Sequence, residues 1–315
     1  MKKKLIFVSI LVATLGLTPT AYSQNFKLTT AQKTVQLKQQ PQNIAVYDLS
    51  VLDTLNALNI SAKIVPQMNY QGQLANYNAD QFIKAGTLFE PDVAKLTALK
   101  PDLIFIGGRS AKKLAGLEPI APTILLSPDT QHYMADLTQR TKSLAKAFDR
   151  EQIATQKLNE IAALQAALKA KTQGKSAMMF FAVSDHFMPQ AENDRFGYIY
   201  ELTGFKSILP LTEKSDVPKP ETGSVEALNL AKQNNEKLKT ALQQHPDYLI
   251  VLDRGAVNTQ KYAAKDMILK HELLSKTAAV KNQKVIFVDA DSWYLTGAGL
   301  DNTIVMLKEL IAKIS

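Results

Sequence analysis

The sequence predicts an α/β protein made of two halves, each on a parallel sheet, joined by one long helix. Three observations carry this reading. Short β-rich apolar runs alternate with helix-period segments on both sides of the chain's middle. Residues 131–172 interrupt that alternation with a stretch free of Pro and Gly. A Pro-Asp–strand–Arg phrase occurs once in each half. Alternating strands and helices imply parallel sheets, because each crossover helix returns the chain to the same end of the sheet.

In chain order, "MKKKLIFVSILVATLGLTPTAYSQ" has three lysines, an apolar run from Leu5 to Leu17 and small residues at Ala21 and Ser23. This is the pattern of a secretory signal peptide over residues 1–23, cut near Ser23/Gln24; the alternative, a membrane anchor, needs a longer apolar run. The first half, 24–130, carries "NIAVYD" (43–48), "AKIVP" (62–66), "DLIFIGG" (102–108) and "PTILLS" (122–127) as strands, with "LSVLDTLNALNI" and "PDVAKLTALK" as helices. The connector, 131–172, keeps Met134, Leu137, Leu144, Phe148, Ile153, Leu158, Ile161, Leu164 and Leu168 near helical spacing. At about 1.5 Å per residue it would be a rod of roughly 60 Å, with room for a kink near Asp149. The alternative is a helical hairpin packed on one half. The second half, 173–315, resumes with "AMMFFAV" (177–183), "DYLIVLD" (247–253) and "KVIFVDA" (284–290), and ends on the helix "TIVMLKELIAKI".

Composition narrows the function. The chain has no cysteine, so an exported form has neither a disulfide framework nor a lipidation site, and its stability rests on apolar cores. The mature protein is expected to be soluble and periplasmic. The formal charge of +8 falls when the leader's three lysines are removed, leaving 34 basic residues against 29 acidic ones. That mild excess suits an anionic partner, and no basic tract indicates nucleic acid.

Of the 37 basic residues only five are arginine: Arg109, Arg140, Arg150, Arg195 and Arg254. Arg140 and Arg150 fall in the connector, where solvated charge is the ordinary reading. Arg109 ("GGRSA"), Arg195 ("NDRFG") and Arg254 ("DRGAV") follow strands or loops leaving them. In "LKPDLIFIGGR" and "QHPDYLIVLDR" the Arg stands seven residues after the Asp, at the carboxyl end of a strand, where open α/β sheets bind ligands. The alternative for each is an ion pair with a neighbouring Asp or a helix cap. Together, three guanidinium groups in one cleft require an anion, because like charges repel in a partly desolvated site. Arginine pairs with twin oxygens and stacks on aromatic faces, so a ferric catecholate matches both properties.

With "DRFGYIYELTGF" and "DSWYLTGAGL" added to these motifs, the mature chain resembles the periplasmic substrate-binding proteins of ABC importers for ferric siderophores. The subgroup is the catecholate one, with enterobactin- and petrobactin-like ligands. The resemblance implies a bilobal periplasmic binding protein bridged by one long helix, with the ferric complex as ligand, no cofactor and a monomeric state. It implies that Arg109, Arg195 and Arg254 contact catecholate oxygens, and that Tyr294 can ligate iron left open by a tetradentate siderophore. The subgroup's partner histidine has no counterpart near "KPETGSVEAL"; His186 in "SDHFMP" is the substitute. Permease docking by one acid on each lobe falls on Glu226 and, since Ala94 stands at the matching place in the first half, on Asp92 or Glu90. The alternatives are a haem or hydroxamate binder of the same fold, or a secreted enzyme acting on an anionic substrate. No nucleophile-and-base motif is present for the latter, so the chain is expected not to be an enzyme.

Two smaller features stay open. "TGAGL" (296–300) could cradle an anion at a helix start or be a plain turn. Trp293 and Tyr294 read either as core aromatics or, on a strand, as neighbours pointing to opposite faces, so that at least one could face the cleft. His132, His186, His245 and His271 have no metal-ligand spacing.

Overall fold

The structure is a computed structural model; it describes residues 25–183, 186–213, 220, 221 and 223–314. The predicted leader and its cleavage point therefore lie outside the described residues.

The chain enters as an antiparallel hairpin, β1 (Phe26–Thr29) and β2 (Thr34–Leu37). It then builds β3 (Ile44–Tyr47), α1 (Leu49–Ala57), β4 (Ile64–Val65), β5 (Ile83–Lys84), α2 (Val93–Leu99), β6 (Leu103–Ile106), α3 (Leu114–Leu117) and β7 (Thr123–Leu125). The five later strands form a parallel sheet in the order β5-β4-β3-β6-β7. Two helices follow, α4 (Tyr133–Ala147) and α5 (Glu151–Thr172). The second half supplies β8 (Ser176–Val183), β9 (His186–Gln190), α6 (Tyr198–Thr203), β10 (Lys206–Ser207), α7 (Val225–Leu242), β11 (Tyr248–Asp253), α8 (Ala264–Lys270), α9 (Ala278–Lys281), β12 (Val285–Phe287) and α10 (Leu300–Lys313). Its sheet runs β10-β8-β11-β12 in parallel, with β9 antiparallel to β8. All seven strands read from the sequence are present. Of these, β3, β4, β6 and β11 are buried on both faces throughout.

The connector is helical, but not a single rod. Helix α4 ends where Phe148 N–H donates to Leu144 O; Asp149 turns left-handed at φ 55°, and Arg150 N–H reaches back to Ala145 O at 2.8 Å. A bond spanning five residues across a left-handed residue is the Schellman closure, and it ends a helix. The anchor is Phe148, buried edge-on against Phe26 of the hairpin at 5.0 Å. Helix α4 lies on β1, whereas α5 packs on α10 and α6. The connector is thus divided between the halves. One apolar cluster holds Val46 and Phe105 of the first sheet together with Met179 and Ile250 of the second.

The repeated Pro-Asp phrase has a structural cause. Asp102 Oδ2 accepts the amides of Gln42 and Asn43, both at 2.8 Å, just before β3. Asp247 Oδ2 accepts Ser176 N–H at 2.8 Å and Ser176 Oγ–H at 3.0 Å, at the start of β8. Each aspartate pins the neighbouring strand at the sheet's amino edge, which sets the register that delivers its arginine to the opposite edge.

Candidate functional site

Both sheets change direction at one strand. The chain places β4 on one side of β3 and β6 on the other; likewise β10 and β11 flank β8. Such switch points open a crevice at the carboxyl ends of the two strands. Arg109 leaves β6 through Gly107 and Gly108, and Arg254 directly follows β11. Arg195 stands at the tip of a loop stitched by its neighbours: Asp194 Oδ2 accepts Ala191 N–H at 2.8 Å, and Asn193 exchanges bonds with Thr212 at 2.7 and 2.9 Å. The loop closes so tightly at Gly197 that a Cβ there would lie 2.2 Å from Ala191 O.

The three arginines meet around one ring. The guanidinium carbons of Arg254, Arg195 and Arg109 lie 4.6, 4.9 and 5.9 Å from the ring centre of Tyr294. No two of them can be further apart than two such distances combined. Tyr294 belongs to a π-helical turn, Asp291–Thr296, and not to a strand. The two aromatics still diverge, with Trp293 buried against Tyr198 and Tyr294 turned to the arginines. Behind Tyr294, Phe181 stacks at 5.7 Å and 9°, and Phe196 lies at 6.4 Å. These two phenylalanines were not read from the sequence, although Phe196 adjoins Arg195.

Among the described residues, no carboxylate forms an ion pair with any of the three arginines. Their neighbouring acids are committed to backbone amides: Asp194 in its loop, and Asp253 to Gly255 and Ala264 N–H at 2.9 and 2.8 Å. Partial burial alone would raise the Tyr294 phenol. The hydrogen bonds and charges of Arg254 and Arg195 outweigh it and hold the phenol below its ordinary pKa. Burial, first, and then Arg195 and Arg254 pull Arg109 down, against Asp48 and Tyr294. Arg109 also spans the halves, donating to Tyr294 O at 2.6 Å and Leu295 O at 3.1 Å. These bonds use two of its five N–H groups.

A cavity of about 420 Å³ between the halves, walled by Met68, Tyr70, Gln260, Asp289, Asp291 and Leu295, shares the 291–296 turn with this cluster. A larger one of about 680 Å³ lies between the β1–β2 hairpin and α4, and neither cavity is lined by Tyr294 or any of the three arginines. Charge and convergence, not volume, select the site.

The other sequence-derived residues fall elsewhere. His186 opens β9 opposite Val183 and is exposed. Asp92 caps α2 by accepting Lys95 N–H at 2.9 Å, and Glu90 pairs with Lys113 at 2.5 Å. Glu226 is exposed in the first turn of α7. Arg140 is not a solvated charge: it is buried, pairs with Asp136 at 2.7 Å and donates to Ala298 O at 3.0 Å. "TGAGL" does begin a helix, but its amides already hold side chains of α1, with Leu300 N–H on Thr54 Oγ1 and Asn302 N–H on Asp53 Oδ2.

Two parallel α/β halves facing each other across a cationic, aromatic-floored cleft define a bilobal binding protein. The chain belongs to the periplasmic binding protein family, whose profile matches residues 44–292. It is 28% identical over 279 residues to the petrobactin-binding protein YclQ of Bacillus subtilis, covering 87% of this chain and 83% of that protein. It is 28% identical over 282 residues to the ferric-anguibactin-binding protein FatB of Vibrio anguillarum, with coverage of 87% and 83%. The crystal structure of the periplasmic catecholate-siderophore-binding protein VctP of Vibrio cholerae matches with a TM-score of 0.77 at 25% identity, over 92% of this chain and 100% of that one. Among the described residues, no helix is long and apolar enough to cross a membrane.

Proposed function

We propose that this protein is the periplasmic substrate-binding component of an ABC importer, taking an anionic ferric catecholate siderophore between lobes 24–130 and 173–315 and delivering it, as a monomer, to an inner-membrane permease. The observation that carries this is the convergence of Arg109, Arg195 and Arg254 on Tyr294 with no carboxylate among the described residues paired to them. Guanidinium groups donate to catecholate oxygens and stack on the rings, and water exclusion strengthens both. A phenolate at Tyr294, already favoured by its arginines, is a hard donor for Fe(III) where a tetradentate ligand leaves positions open, with water taking the remaining position. The names of YclQ, FatB and VctP support a ferric-siderophore cargo.

Glu226 and Asp92 are the docking acids in this reading. Each has exposed apolar neighbours, Val225 and Leu228 beside Glu226, Phe89 and Val93 beside Asp92. The test is a titration of tryptophan fluorescence with ferric tris-catecholates, ferric bis-catecholates, ferric hydroxamates, haem and cobalamin. Tightest binding of a catecholate is expected; a preference for haem, cobalamin or a hydroxamate would overturn it.

A further inference from the structure

Helix α10 begins at Gly299, which has no side chain to satisfy the free amides of the first turn. Side chains from the other half do so instead. Thr54 Oγ1 accepts Leu300 N–H at 3.2 Å, and Asp53 Oδ2 accepts Asn302 N–H at 3.0 Å. The approach requires glycine, because a Cβ at position 299 would lie 2.4 Å from Asp53 Oδ2. Asp53 is wholly buried, and its second oxygen has no hydrogen-bond partner.

Asn302 carries this contact onward. Its side-chain amide donates to Ser292 O at 2.9 Å and to Gly297 O at 2.7 Å, the two ends of the turn that presents Tyr294. The turn closes on itself through Gly297 N–H to Ser292 O at 2.8 Å, and the Asn302 amide adds a second donor to that same carbonyl and one to Gly297 O, tying both ends of the turn to α10. The path runs from α1 of the first half through Asn302 to the turn, every step a hydrogen bond between buried or partly buried groups. Arg140 and Tyr133 of α4 hold the same segment, at Ala298 O and at Thr303 Oγ1.

We propose that Asp53 is a positioning residue for the binding site: by seating Asn302 it fixes the 291–296 turn, and with it Tyr294, against the first half. Only its ligand arm rests on the ferric-catecholate reading. The chain reports on the turn without ligand, because its single tryptophan, Trp293, precedes Tyr294, stacks on Tyr198 at 5.4 Å and donates to Glu309 Oε2 at 3.2 Å.

The experiment compares Asp53→Ala, Asp53→Asn and Asn302→Ala with the parent chain, each shown to be folded by circular dichroism. Asp53→Ala is expected to red-shift Trp293 emission and raise its acrylamide quenching. Its affinity for iron(III) tris(2,3-dihydroxybenzoate) should fall about tenfold, the scale of one lost hydrogen-bond coupling. Asp53→Asn keeps an acceptor oxygen and should restore both. A folded Asp53→Ala with parental emission, quenching and affinity overturns the proposal. If Asp53→Ala does not fold, Asn302→Ala decides, since it cuts the path while leaving the backbone cap in place: a red shift supports the proposal and parental emission overturns it. A parent chain that binds no ferric catecholate refutes the functional reading, while the emission comparison still decides the role of Asp53.

Discussion

Replacing Asp53 by Asn should remove one specific slope from the pH dependence of stability. Burial pushes the Asp53 carboxyl up to about 7 from 3.8, and Asp301 adds to the rise; the amides of Asn302 and Asp301 and the charge of Lys157 oppose it. Lys157 is itself tied to Asp301 at 2.5 Å, and the remaining titratable neighbours are the phenols of Tyr77 and Tyr133. In the unfolded chain the carboxyl ionises near 3.8, whereas in the folded chain it keeps its proton to about 7. Between those values unfolding releases a proton, so stability falls as pH rises, by about 1.4 kcal/mol per pH unit. The asparagine chain lacks that term. The stability difference, variant minus parent, should therefore widen by on the order of 4 kcal/mol from pH 4 to pH 7 and stay constant above. Urea unfolding at half-unit intervals, followed by Trp293 fluorescence and circular dichroism, measures it; other groups, including the exposed His132–Asp129 pair, cancel in the difference. Parallel profiles for the two chains between pH 4 and 7 would refute the reasoning.

Three further outcomes are expected. Arg195→Ala and Arg254→Ala should each weaken ferric-catecholate binding by about 1.5–3 kcal/mol, roughly ten- to hundredfold, as calorimetry would show. Tyr294→Phe should leave a hexadentate tris-catecholate nearly unaffected, yet weaken a tetradentate bis-catecholate and abolish its tyrosinate-to-iron band in the visible spectrum. Asp149→Gly should stabilise the chain by up to about 1 kcal/mol, read as a higher urea midpoint at unchanged slope, because glycine carries the left-handed conformation without the steric cost borne by aspartate.

What the sequence displays follows the range of the interactions. Strands such as "LIFI" and "LIVLD" are legible because burial on both faces demands unbroken apolar runs. The arginines at 109 and 254 are legible because Pro-Asp fixes their register to a sheet edge. The break at Asp149 is written more faintly, since its signal is an ordinary aspartate in place of glycine and the anchor Phe148 finds Phe26 far away in the chain. Arg140 looks like any helix-surface charge until α10 is folded over it. Asp53 is harder still: inside "LSVLDTLNAL" it sits where an amphipathic helix ordinarily turns to solvent, and its partner is 249 residues away.

That last residue joins the fold to the site. A buried carboxyl with an unpartnered oxygen destabilises a helix–helix contact that apolar residues would make more firmly, so its retention in this chain calls for a gain elsewhere. The gain available is directional. Apolar packing between α1 and α10 would fix their separation but not the rotation of the first turn of α10, whereas an oxygen aimed at one N–H fixes both. The rotation of that turn determines where Asn302 places its amide, and the amide closes the turn on which Tyr294 meets the three arginines. Geometry at the cleft is thus set by a polar contact buried between the two halves, and a change in how the halves sit on each other must pass through the same residues that hold Tyr294 against the arginines.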